Sequence, residues 1–152
     1  MRAQVIIPQY LILGLLAGCF LSGSALAADT PETLPGAVVV NADEVIKLQA
    51  AGVPVIDARV AAEYSEAHIK GAINVPYREK SLKEVAFDPS HDEFNLAKLP
   101  ADMSKPFILY CNGPECWKSF KASTAAIKVG YREIKWYRAG FPDWQSRGLP
   151  TE

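Results

Sequence analysis

From residue 38 onward, short apolar runs alternate with segments whose apolar residues recur at helical spacing. Val38-Val39-Val40 is a β-branched run and predicts a first strand. Asn41 then reads as a helix N-cap with Glu44 three residues on; Val45 and Leu48 share one face, and Gly52 falls where a C-terminal cap belongs. Val53 to Ala58 predicts a strand buried on both faces, because Val55 and Ile56 are adjacent, with Pro54 confined to its first positions. Val60 to Ser65 predicts a short helix, and Ala72-Ile73-Asn74-Val75 a strand stopped by Pro76.

Phe107 to Tyr110 is the clearest buried strand of the chain. A Gly-Pro loop follows it, and Phe120, Thr124 and Ile127 mark a helix running from Ser119 to a close at Gly130. Glu133 to Tyr137 reads as a last strand, Arg138-Ala139-Gly140 as a loop, and Pro142 to Ser146 as a short helix opened by proline. Strands alternating with helices predict an α/β domain with a largely parallel sheet. Tyr77 to Pro106 breaks the alternation: its charges are mixed, Asp88-Pro89-Ser90 makes a turn, and it reads as a solvated surface excursion.

The first 27 residues do not share this pattern. Arg2 is the only charged residue before Asp29, an apolar run spans Tyr10 to Leu21, and Ala25 and Ala27 fit the small-x-small pattern of a cleavage site. Residues 1–27 therefore read as a secretory signal peptide, 28–37 as an extended lead-in carrying Pro31 and Pro35, and 38–152 as one domain. The apolar run is shorter than the roughly 20 residues a spanning helix needs. Leu16-Ala17-Gly18-Cys19 resembles a lipobox, so lipidation at Cys19 is the alternative, and the one route by which the domain would be held at a membrane. Either route exports the domain, and the expected location is periplasmic.

Of the 152 residues, 16 are Lys or Arg and 17 Asp or Glu, for a formal net charge of −1. This near-neutral balance offers neither a basic footprint for nucleic acid nor a polybasic patch for anionic lipid. Partners are expected to be small molecules, with a protein partner left open.

Chemistry concentrates where the clearest strand ends. Cys111 lies at its carboxyl end, where ligands bind in parallel α/β sheets. The loop Asn112-Gly113-Pro114-Glu115-Cys116-Trp117-Lys118-Ser119 then leads into the helix. Backbone N–H groups and a helix N-terminus converging on one sulfur would stabilise its thiolate, the reactive form of cysteine. After processing, Cys111 and Cys116 are the only cysteines, and in an oxidising compartment such a pair usually forms a structural disulfide. A metal site is not expected, since Cys111 and Cys116 lack a second cysteine pair or a nearby histidine at ligand spacing.

Three separated stretches resemble the rhodanese family of sulfurtransferases. The first is Val55-Ile56-Asp57-Ala58-Arg59, continuing through Glu63-Tyr64 and His68-Ile69 to Gly71-Ala72-Ile73-Asn74-Val75-Pro76. The second is Tyr110-Cys111, where that family carries its catalytic cysteine. The third is Gly140-Phe141-Pro142-Asp143-Trp144, similar to a Gly-Phe-x-x-Trp signature. The resemblance implies a central parallel five-stranded sheet with helices on both faces, and no cofactor. It implies that Cys111 takes a sulfane sulfur from a small donor, such as thiosulfate, and passes it to a thiol or cyanide-like acceptor. Asp57 and Arg59 are expected to orient loops, with Glu63, Tyr64 and His68 as framework, Phe141 and Trp144 as core, and His91 without a role.

The chain departs from that pattern in its loop. No arginine occurs between Cys111 and Arg132, Lys118 is the loop's only cation, and Glu115 adds negative charge. Lysine replaces the planar fork of arginine poorly, which disfavours a dianionic donor. Cys116 opens two alternatives: a thiol–disulfide relay with Cys111, or a permanent bridge in a non-catalytic binding module.

Overall fold

The computed structural model describes residues 28–152; the signal-peptide and Cys19 readings lie outside them. In chain order the elements are β1 (Ala37–Val39), α1 (Ala42–Ala50), β2 (Val55–Asp57), α2 (Ala61–Glu66), β3 (Ile73–Asn74), β4 (Phe107–Tyr110), α3 (Trp117–Val129), β5 (Ile134–Tyr137) and α4 (Gly140–Ser146). The five strands form one parallel sheet in the order β1-β5-β4-β2-β3. The expected α/β architecture is the observed one.

Side-chain alternation in the central strands splits the core in two. Val55, Ile108, Tyr110 and Tyr137 face the layer containing Val45, Phe141 and Trp144, so α1 and α4 cover that side. Ile56, Leu109, Phe107 and Ile134 face Ala122 and Ala126 of α3 on the other. β4 is buried along its whole length, as its unbroken apolar run requires. Local signals place the helix ends. Asn41 and Glu44 form a reciprocal capping box at the start of α1, and Gly130 ends α3 at φ 112°.

Three features differ from expectation. Helix α4 opens at Gly140 rather than at Pro142, its first turn anchored by the Phe141 amide donating to the Cys111 carbonyl at 2.8 Å. Helix α3 begins at Trp117 rather than Ser119, because the Cys116 N–H donates to the Gly113 carbonyl at 3.0 Å and closes the turn early. The 77–106 excursion is not merely solvated: it holds only two 3₁₀ turns, Pro89–His91 and Leu96–Lys98, yet Tyr77 and Leu99 are buried in the core. Asp92 organises it by accepting from the Tyr77 hydroxyl (2.7 Å), the Lys80 and Ser81 amides (2.7 Å each) and the Ser81 hydroxyl (2.6 Å). Lys121 of α3, wholly buried, pins the excursion to the helix through Glu79 (3.0 Å) and the Ser81 hydroxyl (2.7 Å).

β2 and β4 are neighbours, and the chain leaves them toward opposite faces, through α2 and α3. Their carboxyl ends thus flank a topological switch point, the place where such sheets open a crevice. Asp57 and Arg59 follow from one strand end and Cys111 from the other.

Candidate active site around two cysteines

Cys111 is 1% exposed and sits directly after β4. Its carbonyl accepts from the Phe141 amide at 2.8 Å, which ties the loop to the start of α4. Gly140 has φ 67°, and a β-carbon there would collide with the Cys111 carbonyl and the Gly113 nitrogen. That close approach explains why the Gly140-Phe141 pair belongs to the site rather than only to the core. Gly113 itself turns at φ 100°, letting the chain reverse from Cys111 toward α3.

The sulfur of Cys111 lies 3.0 Å from the Ser119 hydroxyl and 3.0 Å from the Cys116 carbonyl oxygen. Ser119 is buried, and its oxygen also accepts from the Trp136 indole N–H at 3.0 Å. With that lone pair used, the Ser119 proton is free to point at the sulfur. Cys116 is the N-cap residue of the 13-residue α3 and is partly exposed. Both cysteines are free thiols.

Burial pushes the Cys111 thiol well above its ordinary range, and its hydrogen bond to Cys116 adds to the effect; the Ser119 hydroxyl and amide oppose it without prevailing. Cys116 moves the other way, down to about 6. The Cys111 thiol donating to its sulfur is the largest cause; burial opposes this, while the Asn112 and Lys118 amides and the Lys118 charge reinforce it. The two titrate as a pair. Of the pair, Cys116 is the one shifted toward losing its proton first, standing at the N-terminus of α3 while Cys111 is enclosed. The site thus sets an enclosed thiol, donating to the Cys116 carbonyl oxygen at 3.0 Å, beside a more acidic one, a difference not visible in the sequence.

The other expected residues fall into place around this pair. Asp57 is fully buried and receives Arg59 through Nε (3.0 and 3.1 Å) and Nη2 (2.7 Å), together with the Tyr110 hydroxyl. Arg59 also donates to the Ala67 carbonyl at 2.8 Å and stacks 4.1 Å over the Phe141 ring. These contacts bind β2, α2, β4 and α4 to one another, so Asp57 and Arg59 act as framework. His68 accepts this role too, its Nδ1 lying 2.8 Å from the Tyr64 carbonyl and its ring stacked on Tyr64. Asn112 donates to the Glu63 carboxylate. Phe141 and Trp144 are buried, as expected.

A cleft of about 220 Å³ adjoins the loop, lined by Arg59, Glu63, Glu66, Asn112, Phe141 and Gln145. Its one guanidinium is already committed to Asp57, and its two carboxylates make it a poor seat for a dianion. Larger clefts of about 390 and 600 Å³ lie along the excursion, away from both sulfurs.

Two contributors to the site gave no warning in the sequence. The lead-in crosses the loop as a strap: the Thr30 amide and hydroxyl both donate to the Pro114 carbonyl (2.8 and 2.9 Å), and Trp117 donates its indole N–H to the Ala28 carbonyl at 2.8 Å. Arg138 holds the strap in place, donating to Thr30 Oγ1 (3.1 Å), the Thr30 carbonyl (2.6 Å) and the Pro31 carbonyl (2.9 Å). Only the alignment of residues more than 80 positions apart reveals this, and no local pattern encodes it.

Comparison with known proteins identifies the family of this fold. The profile of the Rhodanese-like domain matches residues 41–147. The chain is 30% identical over 102 residues to the chloroplastic thiosulfate sulfurtransferase 16 of Arabidopsis thaliana, covering 67% of this chain and 82% of that protein. It is 33% identical over 96 residues to the thiosulfate:glutathione sulfurtransferase of Saccharomyces cerevisiae, covering 63% and 67%. An HTH-type transcriptional regulator of Mycobacterium tuberculosis is 28% identical over 94% of this chain, which spans 57% of the regulator's length. Among solved structures, a thiosulfate sulfurtransferase from Pseudomonas aeruginosa superposes with a TM-score of 0.56 at 23% identity, over 76% of this chain and 20% of that one. The chain belongs to the rhodanese-like family.

Proposed function

We propose that this rhodanese-like chain is a sulfurtransferase that carries a sulfane sulfur as a persulfide on Cys111 and hands it to a thiophilic acceptor. The observation that supports this most is the placement of Cys111. It stands at the carboxyl end of the central strand, enclosed by the Ser119 hydroxyl and the first turn of α3. Curated relatives named as thiosulfate sulfurtransferases support the same chemistry.

In the loading step the Cys111 proton passes to the neighbouring Cys116 thiolate. The Cys111 thiolate, more basic and so more nucleophilic than its neighbour, attacks the sulfane sulfur. A Cys111–S bond forms, the donor's own S–S bond breaks, and the donor residue leaves as an anion. Ser119 and the N-terminal amides of α3 hold the charge on the outer sulfur as an oxyanion hole would. In the unloading step an acceptor nucleophile bonds to the outer sulfur and the Cys111 thiolate leaves.

The acidic cleft and the absence of an uncommitted arginine beside it favour a neutral or monoanionic donor over thiosulfate, and a thiol over cyanide as acceptor. Export to the periplasm belongs to the same proposal, resting on the residue pattern of 1–27, and a periplasmic fraction lacking the protein would refute it. The chemical reading is tested by intact mass. Quenched at early times after addition of a sulfane-sulfur donor, the reduced chain is expected to carry one added sulfur, mapped to Cys111, and Cys111→Ser to carry none. Sulfur found on Cys116 alone would overturn the assignment.

A further inference from the structure

Resting on that reading, the geometry points to a second outcome for the bound sulfur: Cys116 attacks the inner sulfur of the Cys111 persulfide, releasing hydrosulfide and closing a Cys111–Cys116 disulfide. The chain would then act as a sulfane-sulfur reductase as well as a carrier, with an external dithiol restoring both thiols.

Access is the first argument. The Cys111 sulfur is enclosed, so an external acceptor must reach past the loop, whereas Cys116 already adjoins it, its carbonyl 3.0 Å from that sulfur. A thiol held within one short loop acts at an effective concentration in the millimolar range, far above that of most free acceptors in dilute assay. Cys116 is also the better ionised of the two and stands at the N-terminus of α3, which favours its thiolate.

The choice of sulfur follows from the leaving groups. Attack on the outer sulfur would move the persulfide to Cys116 and expel the Cys111 thiolate, which burial makes strongly basic. Attack on the inner sulfur expels hydrosulfide, a weaker base than an enclosed alkyl thiolate and therefore the faster group to leave. Exchange thus runs toward the disulfide.

One proton serves the whole cycle. Loading leaves the persulfide as Cys111–S–S⁻ beside a Cys116 thiol. Returning the proton from Cys116 to the outer sulfur creates the nucleophile and the leaving group together. The Cys116–Cys111 S–S bond forms, the bond to the outer sulfur breaks, and HS⁻ departs with that proton and the electron pair. The two cysteines are oxidised by two electrons and the sulfane sulfur is reduced by two. A dithiol then reduces the disulfide by exchange, becoming a disulfide itself. Cys116, the less buried of the two residues, is the one it attacks.

The test is anaerobic single-turnover mass spectrometry on the purified chain and on its Cys116→Ser variant. Thiosulfate serves as donor in one arm and glutathione hydropersulfide in the other, with a bimane assay for hydrosulfide in the thiosulfate arm. The wild type is expected to end two hydrogens lighter, with a Cys111–Cys116 bridge. Cys116→Ser is expected to end one sulfur heavier, with a persulfide that persists about 100-fold longer in the absence of added thiol. A stable persulfide on wild-type Cys111, with the same lifetime in the variant, overturns the inference and leaves the carrier reading intact. Failure of the wild type to form either a persulfide or a Cys111–Cys116 bridge with either donor defeats the carrier reading, and the inference with it. Sulfur retained on Cys116 of the wild type also overturns the inference, because it shows attack on the outer sulfur.

Discussion

Replacing Arg59 with methionine separates a framework role from a substrate-binding one. The guanidinium makes three contacts to Asp57 within 3.1 Å and one to the Ala67 carbonyl at 2.8 Å, and it lies 4.1 Å over Phe141. Methionine keeps much of the apolar packing but leaves the fully buried Asp57 carboxylate with only the Arg59 backbone amide and the Tyr110 hydroxyl as donors. Stranding one partner of a buried ion pair costs about 3–5 kcal/mol. Against a typical domain stability of about 5–15 kcal/mol, that is a large share. Urea denaturation at pH 7 is expected to show a lower midpoint with an unchanged slope, since the surface exposed on unfolding is the same. Sulfur loading of the fraction still folded, measured at low temperature without urea, should stay within about threefold of wild type, well under the tenfold that 1.4 kcal/mol of lost transition-state binding would produce. A stability loss below about 1 kcal/mol with loading reduced more than about tenfold would refute the framework assignment, because a surface-like energetic cost combined with lost chemistry marks a residue that touches substrate.

Three further expectations follow from the site. Iodoacetamide labelling of Cys116 should rise with pH around a midpoint near 6, and Cys111→Ala should move that midpoint up by removing its largest stabilising contact; a midpoint in the ordinary thiol range for the wild type would contradict the paired titration. Because the folded value is depressed, the Cys116 contribution to stability is complete above the ordinary thiol range and fades as pH falls through about 6, while the raised Cys111 thiol acts oppositely as pH climbs past its ordinary value. Gly140→Ala combines a positive φ with a collision against the Cys111 carbonyl, so it should destabilise by about 1–3 kcal/mol from backbone strain alone and slow sulfur loading; thermal unfolding unchanged from wild type would refute the close approach. Arg138→Met removes three hydrogen bonds from the strap, should cost about 2 kcal/mol, and should speed amide exchange at residues 28–31 together with labelling of Cys116; unaltered exchange there would show that the strap holds without it.

Much of this molecule is legible in the amino-acid order because its determinants are local. The apolar run Phe107–Tyr110 can only be a strand buried on both faces, and Asn41 with Glu44 satisfies orphan amides three residues apart. Gly130 ends α3 because a left-handed residue is needed there. Alternation of such elements specifies a parallel sheet, and a parallel sheet specifies where a site forms, which is why Cys111 could be singled out unaided. The helix boundary at Trp117 and the packing of the 77–106 excursion were not legible. The first depends on a turn closed by the Cys116 amide, and the second on Asp92 and Lys121 gathering groups that are distant in sequence.

What the tertiary structure alone decided is the character of the two sulfurs. By sequence they are the same chemical group five positions apart. The fold encloses one beside Ser119 and Trp136 and places the other at a helix N-terminus, and burial of the first together with the hydrogen bonding around the second separates their proton affinities. Tertiary packing also lays Thr30 across the loop and clamps it with Arg138, a contact between residues 108 positions apart that no periodicity records. Desolvation and long-range hydrogen bonds arise only once distant segments meet, and so the sequence marks the reactive position while the folded protein divides the work between its two cysteines.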